Sequence, residues 1–518
     1  MSAEETAVPL KTEIDALFGQ HVAAGQSPGL AYGMTTADGL DYSGGFGFAN
    51  ADGLVPDTDT IFPIASMSKS FVAAAALIAR DRGLLSLTDP ITKYVPEFVV
   101  ANVDADTEGI PTVEMLFSMC GGLTEDNSWV DPFIDLPTDE LLAQVAKGVR
   151  LSRYPGAAFE YSNLGFTLAG IAVSRAAGQR LEDFVRENLF EPLGLTNTHF
   201  DSDLPEGGRR ATGYAHSSDD IWVPFEPQRS DAFAAAGGIV STVRDLAVWI
   251  TWLGSAFRPR RDDDIDVLSR VSRREMQRAH VNFPPALIVG PGGAVHAPNG
   301  GYALGLVATS DLHTGTVVTH SGGLPGFRLF MIWHPESGNG CVALTNSQRG
   351  DAYSLVNDAL GRTLRRTDAQ AVSVRLWPET MALSAQVESL IRQWDDELAA
   401  QVFSGNVDFE RPLSQRRAEI EEAVAEIGPL RASGGRVDIV SAVTAADVTW
   451  SIPGENGQLL CMIHLTPVDP PQVQELIVRA ASGPRATVPT EIAPARAAFA
   501  HAAISPTKNV LIEEPDQG

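Results

Sequence analysis

Four alanines in a row between Phe71-Val72 and Leu77-Ile78 make residues 67–80 a helix with apolar residues on nearly every face. Such a helix is stable only when other elements surround it, so the chain must fold in layers around this segment. Gly83 is its natural stop. The rest of the chain can supply the layers, because 518 residues at 44% hydrophobic allow two to four domains of about 150 residues each.

Against 38 Lys and Arg stand 65 Asp and Glu, a net charge of −27 that repels phosphate backbones and anionic bilayers. Nucleic acid and membrane are therefore not expected partners, and no run of about 18 apolar residues reads as a span. The three cysteines, Cys120, Cys341 and Cys461, are odd in number and contain no CxxC pair, which fits a reducing compartment and no zinc. The N-terminus has neither a basic nor an apolar export region, so the expected address is cytoplasmic.

The segment order reads as α+β. A short helix over 12–18 precedes a hairpin of Gly29 to Thr36 and Asp41 to Ala49. Helices follow near 139–147, 164–177, 181–189 and 242–253. Strands then return over 302–310, 316–320, 327–334 and 340–345, with a closing helix at 351–365. One antiparallel sheet assembled from both ends of this segment is the expected architecture. The expected domains are a first one over 1–370, a linker over 371–380, a small α+β accessory domain over 381–490 and a partly disordered tail over 491–518. In the accessory domain a helical stripe runs from Leu383 to Leu398 and stops at Gly405, a second helix spans 414–427, and four strand-like runs follow. His464 reads there as a hydrogen-bonded packing residue rather than a ligand.

Three short motifs carry chemistry. Ser66-Met-Ser-Lys69 places a serine at the entrance of the buried helix with a lysine one turn on, on the same face. A desolvated lysine has its pKa lowered enough to take a serine proton, and a helix N-terminus offers N–H groups to an oxyanion. Alone, the pattern reads equally as a helix cap followed by a solvated lysine. Here lysine is scarce, with only Lys11, Lys69, Lys93, Lys147 and Lys508 in the chain, and Lys69 lies on a helix built for burial. Tyr161-Ser-Asn163 can project a phenol and an amide together from a turn, and by itself is also a helix start. His320-Ser321-Gly322-Gly323, at the end of an expected strand, lets backbone approach a ligand and present an N–H to it.

In this order and spacing the three resemble the signature of the serine β-lactamase and penicillin-binding-protein superfamily. Phe62-Pro-Ile-Ala-Ser-Met-Ser-Lys-Ser-Phe, Glu191-Pro-Leu-Gly-Leu-Thr-Asn-Thr-His, Gly237-Gly-Ile-Val-Ser-Thr and His320-Ser-Gly-Gly-Leu-Pro-Gly-Phe are similar to its class C β-lactamase-related branch, over about residues 10 to 365. The resemblance implies a DD-peptidase/β-lactamase-like fold and an acyl-enzyme without cofactor. Ser66 would be the nucleophile, with Lys69 and Tyr161 sharing general base and acid work in an undecided order. Asn163 would position substrate, and the N–H groups of Ser66 and Gly323 would hold the oxyanion. His320, Ser321 and Gly322 complete the implied substrate-binding strand.

His320 stands where antibiotic-hydrolysing members carry a lysine. A neutral imidazole anchors a carboxylate weakly, so esterases, amidases, D-aminopeptidases and peptide-cyclising thioesterases are the nearer analogy. Trp129, on a loop over 124–134, and Trp222, on a loop over 216–227, are candidates to line the pocket. Cys120 reads as a small buried residue. The expected function is hydrolysis of a small ester, amide or D-residue-containing peptide through acyl-Ser66. The alternative is transfer of the acyl group to an amine, as in a peptide cyclase. A β-lactamase, and a receptor that acylates without turnover, rank below both. The expected partner is a small molecule or short peptide, with homodimerisation open as a role of the accessory domain. No HExxH or P-loop pattern supports a metal or nucleotide site.

Overall fold

The computed structural model describes residues 8–482 apart from 102–108, 205–207, 218–220, 227–228, 263, 285–287, 290–294, 297–298, 312–314, 368–373, 375 and 432–436. The chain divides into two compact units, with the break after Ala371. The expected tail over 491–518 lies outside the described residues.

The first unit is organised by an eight-stranded antiparallel sheet. Its strands are β1 (Gly29–Thr36), β2 (Gly39–Gly47), β3 (Val281–Asn282), β4 (Asn299–Tyr302), β5 (Val307–Asp311), β6 (Gly315–Leu324), β7 (Phe327–Trp333) and β8 (Gly340–Thr345), in the spatial order β2-β1-β8-β7-β6-β5-β4-β3. Strands from both ends of the unit thus meet at the β1–β8 pair, where Leu30 faces Thr345 and Thr35 faces Gly340. Both faces are covered, so β7 and β8 are apolar apart from Arg328 and Thr345 at one end, and their alternate residues serve two cores. Phe330, Ile332, Cys341 and Ala343 pack under helices α1 (Leu10–Ala23) and α5 (Ala352–Arg366). Leu329, Met331, Val342 and Leu344 face the larger core, which contains α2 (Ser68–Asp81), α3 (Asn163–Ala177) and α4 (Val243–Ser255).

Helix α2 is buried as its composition requires, with every residue from Ser68 to Ala79 shielded from solvent. Phe71 stacks on Trp249 of α4 at 4.1 Å and meets Phe190 edge-on, contacts that add about 0.5–1.5 kcal/mol each beyond the area buried. Gly83, at φ 74°, ends the segment.

The expected single strand over 302–310 is two strands. Tyr302 and Val307 pair across a turn in which Gly305 has φ 66°, and a Cβ there would lie 2.5 Å from the Lys69 carbonyl oxygen. An apolar run hides a turn when the turn itself is buried, as this one is against α2. The strand bearing His320 also does not end there. It continues through Leu324 and pairs His320 with Met331 and Gly323 with Arg328.

The second unit packs helices α6 (Pro378–Arg392), α7 (Asp396–Val402), α8 (Gly405–Glu410) and α9 (Leu413–Ile427) on a sheet of β9 (Asp438–Ser441), β10 (Asp447–Pro453), β11 (Gly457–Leu465) and β12 (Val473–Ser482) in sequential order. The stripe from Leu383 to Leu398 is not one helix. It breaks before Asp395, whose side chain caps α7 by accepting from the N–H groups of Glu397 and Leu398. Part of the expected linker over 371–380 lies outside the described residues, and from Pro378 onward it is already helix. Trp450, Cys461 and Val473 are fully buried in this unit's core. His464 is hydrogen-bonded as expected but belongs to the surface, where its Nδ1 lies 2.8 Å from Glu475 Oε2.

Candidate active site

Ser66 lies in the 3₁₀ turn Ala65–Met67 that leads into α2. Ala65 adopts φ 49°, a region sparsely populated by non-glycine residues, and the turn leaves Ser66 the partly exposed residue in a run of buried ones. Lys69, one turn on, is 0% exposed. Its Nζ donates to Ser66 Oγ at 3.1 Å, to Asn163 Oδ1 at 2.7 Å and to the Ala236 carbonyl oxygen at 2.8 Å. Those three acceptors match the three protons of an ammonium. Burial pulls the amine from 10.5 down to about 7, with the charge of Asp126 acting in the opposite sense.

Tyr161 is hydrogen-bonded to Ser66 through its hydroxyl, and its ring centre lies 5.0 Å from Lys69 Nζ. Burial pushes the phenol above its ordinary value, outweighing the Ser66 bond, which pulls it down. Asn163 opens α3 behind Ser162, whose hydroxyl caps the helix by accepting from Gly165 N–H at 3.1 Å.

Asp126, which the motifs do not indicate, holds this corner together. Its Oδ1 accepts from Asn163 N–H at 2.7 Å and Nδ2 at 3.1 Å, and its Oδ2 accepts from Leu164 N–H at 2.8 Å and Ser162 Oγ at 3.0 Å. The carboxylate therefore caps α3 and aims the Asn163 amide so that its oxygen faces Lys69. In the sequence Asp126 is one of 65 acidic residues, on a loop with no periodic pattern.

His320 belongs to a different layer from the one expected of a substrate-binding residue. It is 3% exposed and does not line the cleft at Ser66. Its Nδ1 lies 2.7 Å from the Ser321 carbonyl oxygen, which can only accept, so Nδ1 carries the proton. Its Nε2 then accepts from the Tyr302 hydroxyl at 3.0 Å. Burial and the nearby Lys69 hold the imidazole neutral, pulling it down to about 3. Tyr302, also absent from the motifs, meets Tyr161 edge-on at 6.0 Å and so connects the β6 layer with the nucleophile layer.

Strand alternation turns Ser321 to the opposite, exposed side. Gly322 lies so close to the Ser66 turn that a Cβ would be 2.4 Å from the Ile64 carbonyl oxygen. Gly323 lines the cleft with Ser66. That cleft is open to solvent and spans about 350 Å³, and Asn127, Val130, Phe233 and Leu324 contribute to its walls. The loop carrying Trp129 thus reaches the site, whereas Trp129 itself packs against Phe133 and Phe233 and lines a neighbouring cavity. Trp222 packs on His216, away from the cleft. Cys120 is buried, and its thiol is pushed up by that burial.

The Beta-lactamase family model matches residues 14–364, about two-thirds of the chain and all of the elements just described. The chain belongs to the Beta-lactamase family. Protein flp of Staphylococcus aureus strain MRSA252, a curated relative, is 25% identical over 339 residues. That match takes in 64% of this chain, and the chain spans 62% of the length of that relative. Among solved structures, the octameric penicillin-binding protein homologue from Pyrococcus abyssi superposes with a TM-score of 0.57 at 19% identity, covering 88% of this chain and 96% of its own. EstCE1, described as a hydrolase with promiscuous acyltransferase activity, superposes with a TM-score of 0.55 at 20% identity over 68% of this chain and 98% of its own. These structures show that the Beta-lactamase-family fold, with its α+β layers, is the fold of this chain. Among the described residues no helix is long and apolar enough to cross a membrane, and no group of three acidic, His or Cys residues could hold a metal ion.

Proposed function

We propose that this Beta-lactamase-family protein is a serine hydrolase that forms an acyl-Ser66 intermediate with small esters, amides or short peptides. The observation that carries the reading is the contact between Ser66 Oγ and a fully buried Lys69 whose amine is held near neutrality. At pH 7 about half of such an amine is unprotonated and able to accept the serine proton. Tyr161 is displaced the other way, and a phenol pushed above its usual range is a poor first base. These opposite displacements favour Lys69 as the base and Tyr161 as the relay.

In the first half-reaction the Ser66 proton passes to Lys69 as Oγ bonds to the substrate carbonyl carbon. The negative charge on the carbonyl oxygen is met by the N–H groups of Ser66 and Gly323. Collapse breaks the bond to the leaving group, which departs with the proton returned from Lys69 by way of the Tyr161 hydroxyl. A water molecule then attacks the acyl carbon and gives its proton to the same relay, which passes it to Ser66 Oγ as the bond between the acyl carbon and Oγ breaks, releasing the acid and free Ser66.

A second outcome, transfer of the acyl group to an amine, is favoured by the apolar residues Val130, Ile134, Phe233 and Leu324 around the cleft, which disfavour water. It is also in keeping with the acyltransferase activity named for EstCE1.

Time-resolved intact-protein mass spectrometry tests the proposal, with p-nitrophenyl esters, aminoacyl amides, a β-lactam and a peptidyl thioester, each with and without added amine. The expected result is an adduct that is absent in Ser66→Ala and decays to acid or amide. Wild-type turnover by Ser66→Ala would refute the nucleophile. A Ser66 adduct that never decays would refute turnover.

A further inference from the structure

The acyl-enzyme proposal leaves the acyl group unspecified, and one wall of the cleft narrows it. Among the described residues that line the space beside Ser66 and Gly323, Asp131 is the only one with an ionisable side chain. It opens a short 3₁₀ turn, Asp131–Phe133, in which Pro132 fixes the backbone. Its carboxylate makes no hydrogen bond and closes no ion pair among the described residues; the one charge acting on it is that of Arg328.

Arg328 is partly exposed and is anchored through one nitrogen of its guanidinium. It does not line the cleft. Its Nη1 donates to the Phe327 carbonyl oxygen at 2.9 Å and to that of Leu324 at 3.4 Å, which ties the guanidinium back onto its own hairpin over Gly323. Lys69 Nζ is already surrounded by Ser66, Asn163 and Ala236, and His320 is neutral and enclosed. The lining itself therefore offers an open acceptor to a cation and no cationic side chain to an anion. Asp131 keeps an exposed face, and the packing around it pushes its carboxyl up, a displacement that an entering positive charge reverses.

We infer that Asp131 makes the cleft select acyl donors bearing a protonated amine, so that the substrate class is aminoacyl esters, amides or short peptides with a free amino group. This inference rests on the acyl-Ser66 proposal. The ammonium donates to the Asp131 carboxylate while the apolar part of the acyl group lies along Val130, Ile134 and Phe233, and the scissile carbonyl reaches Ser66. N-blocked donors lose the ionic contact, and donors with an acid in its place meet a like charge.

The test uses the full chain and the methyl esters of D- and L-leucine in three forms: free amine, N-acetylated and N-succinylated. Acid release is read as kcat/KM by liquid chromatography and mass spectrometry. Wild type is expected to prefer the free amine to the acetylated ester by about three- to fivefold, the size of one ion pair at an exposed position. In Asp131→Asn that ratio falls toward one, in Asp131→Lys it inverts in favour of the succinylated ester, and in Asp131→Glu it is kept. A wild-type ratio near one, or the same ratio in wild type and Asp131→Asn, overturns the inference while leaving Ser66-dependent turnover in place. Loss of Ser66-dependent release from every ester used here and in the adduct experiment overturns the acyl-enzyme proposal itself.

Discussion

Replacing Lys69 by methionine keeps the length and apolar character of the side chain but removes the titrating amine, and the pH dependence of stability must change accordingly. In the unfolded chain the amine titrates at its ordinary value of 10.5, and in the folded protein burial brings it down to about 7. Between those values the unfolded state binds a proton that the folded state does not. Wild-type stability therefore rises with pH in this window, by at most about 1.4 kcal/mol per pH unit. Below pH 7 both states are protonated, and the cost of burying the ammonium is carried in full. Integrated from pH 6 to pH 8.5, the contribution of Lys69 is a rise of about 2 kcal/mol. Lys69→Met lacks it. The variant also leaves Ser66 Oγ, Asn163 Oδ1 and the Ala236 carbonyl without their donor, at about 1–3 kcal/mol each if nothing replaces it. The level of its stability curve is thus lowered for a separate reason, and the slope is the diagnostic. Urea unfolding of both proteins at four pH values, followed by pulse proteolysis of the first unit, measures that slope. Titrations shared by the two proteins, such as those of Cys341 and Asp201, cancel in the difference. Curves that run parallel within about 0.5 kcal/mol would show that folding does not displace the Lys69 titration, and the base assignment would lose its physical ground.

Under the acyl-Ser66 proposal the same displacement governs activity, so kcat/KM should climb with pH through an apparent value of about 7 as Lys69 loses its proton; a flat profile from pH 6 to 8 would refute this. Lys69→Ala and Tyr161→Phe should each lower kcat by about 10²- to 10⁴-fold, and the double variant by little more than the worse single one, because the groups act as a unit. Asp126→Asn turns one acceptor oxygen into a donor facing two donors, which should cost about 2–4 kcal/mol of stability. It should also move the ascending limb to lower pH, since Asp126 is the charge that supports the Lys69 ammonium; an unmoved limb would reduce Asp126 to a helix cap. Gly322→Ala places a methyl 2.4 Å from the Ile64 carbonyl oxygen and should separate β6 from the Ser66 turn, so steady-state rates should fall at least tenfold while the circular dichroism of the sheet is retained.

Much of the first unit is legible along the chain because its signals are local. The all-apolar helix after Ser66, the Gly stops and the alternation or continuity of apolar residues each act within one element, and the two-ended sheet follows from their order. Local pattern misleads where burial in three dimensions overrides it. The turn inside 302–310 carries an apolar sequence because it packs on α2, and the break before Asp395 is a capping decision within an otherwise continuous stripe. Residue type alone points Trp222 toward the pocket, and type does not say which way a loop folds.

The sequence by itself determined which chemical groups this protein has and how far apart they lie along the chain: a serine one turn before a lysine on a helix that must be buried, a Tyr-x-Asn turn, and a strand whose glycines permit close approach. Only the tertiary structure decided what those groups are. It removes Lys69 from water among three acceptors contributed by residues 3, 94 and 167 positions away, and so brings an ordinary amine near neutrality. It supplies Asp126 and Tyr302, and it encloses His320 with both nitrogens engaged. Acid strength and hydrogen-bond partnership depend on the local dielectric and on neighbours remote in sequence, and those exist only once the layers have closed.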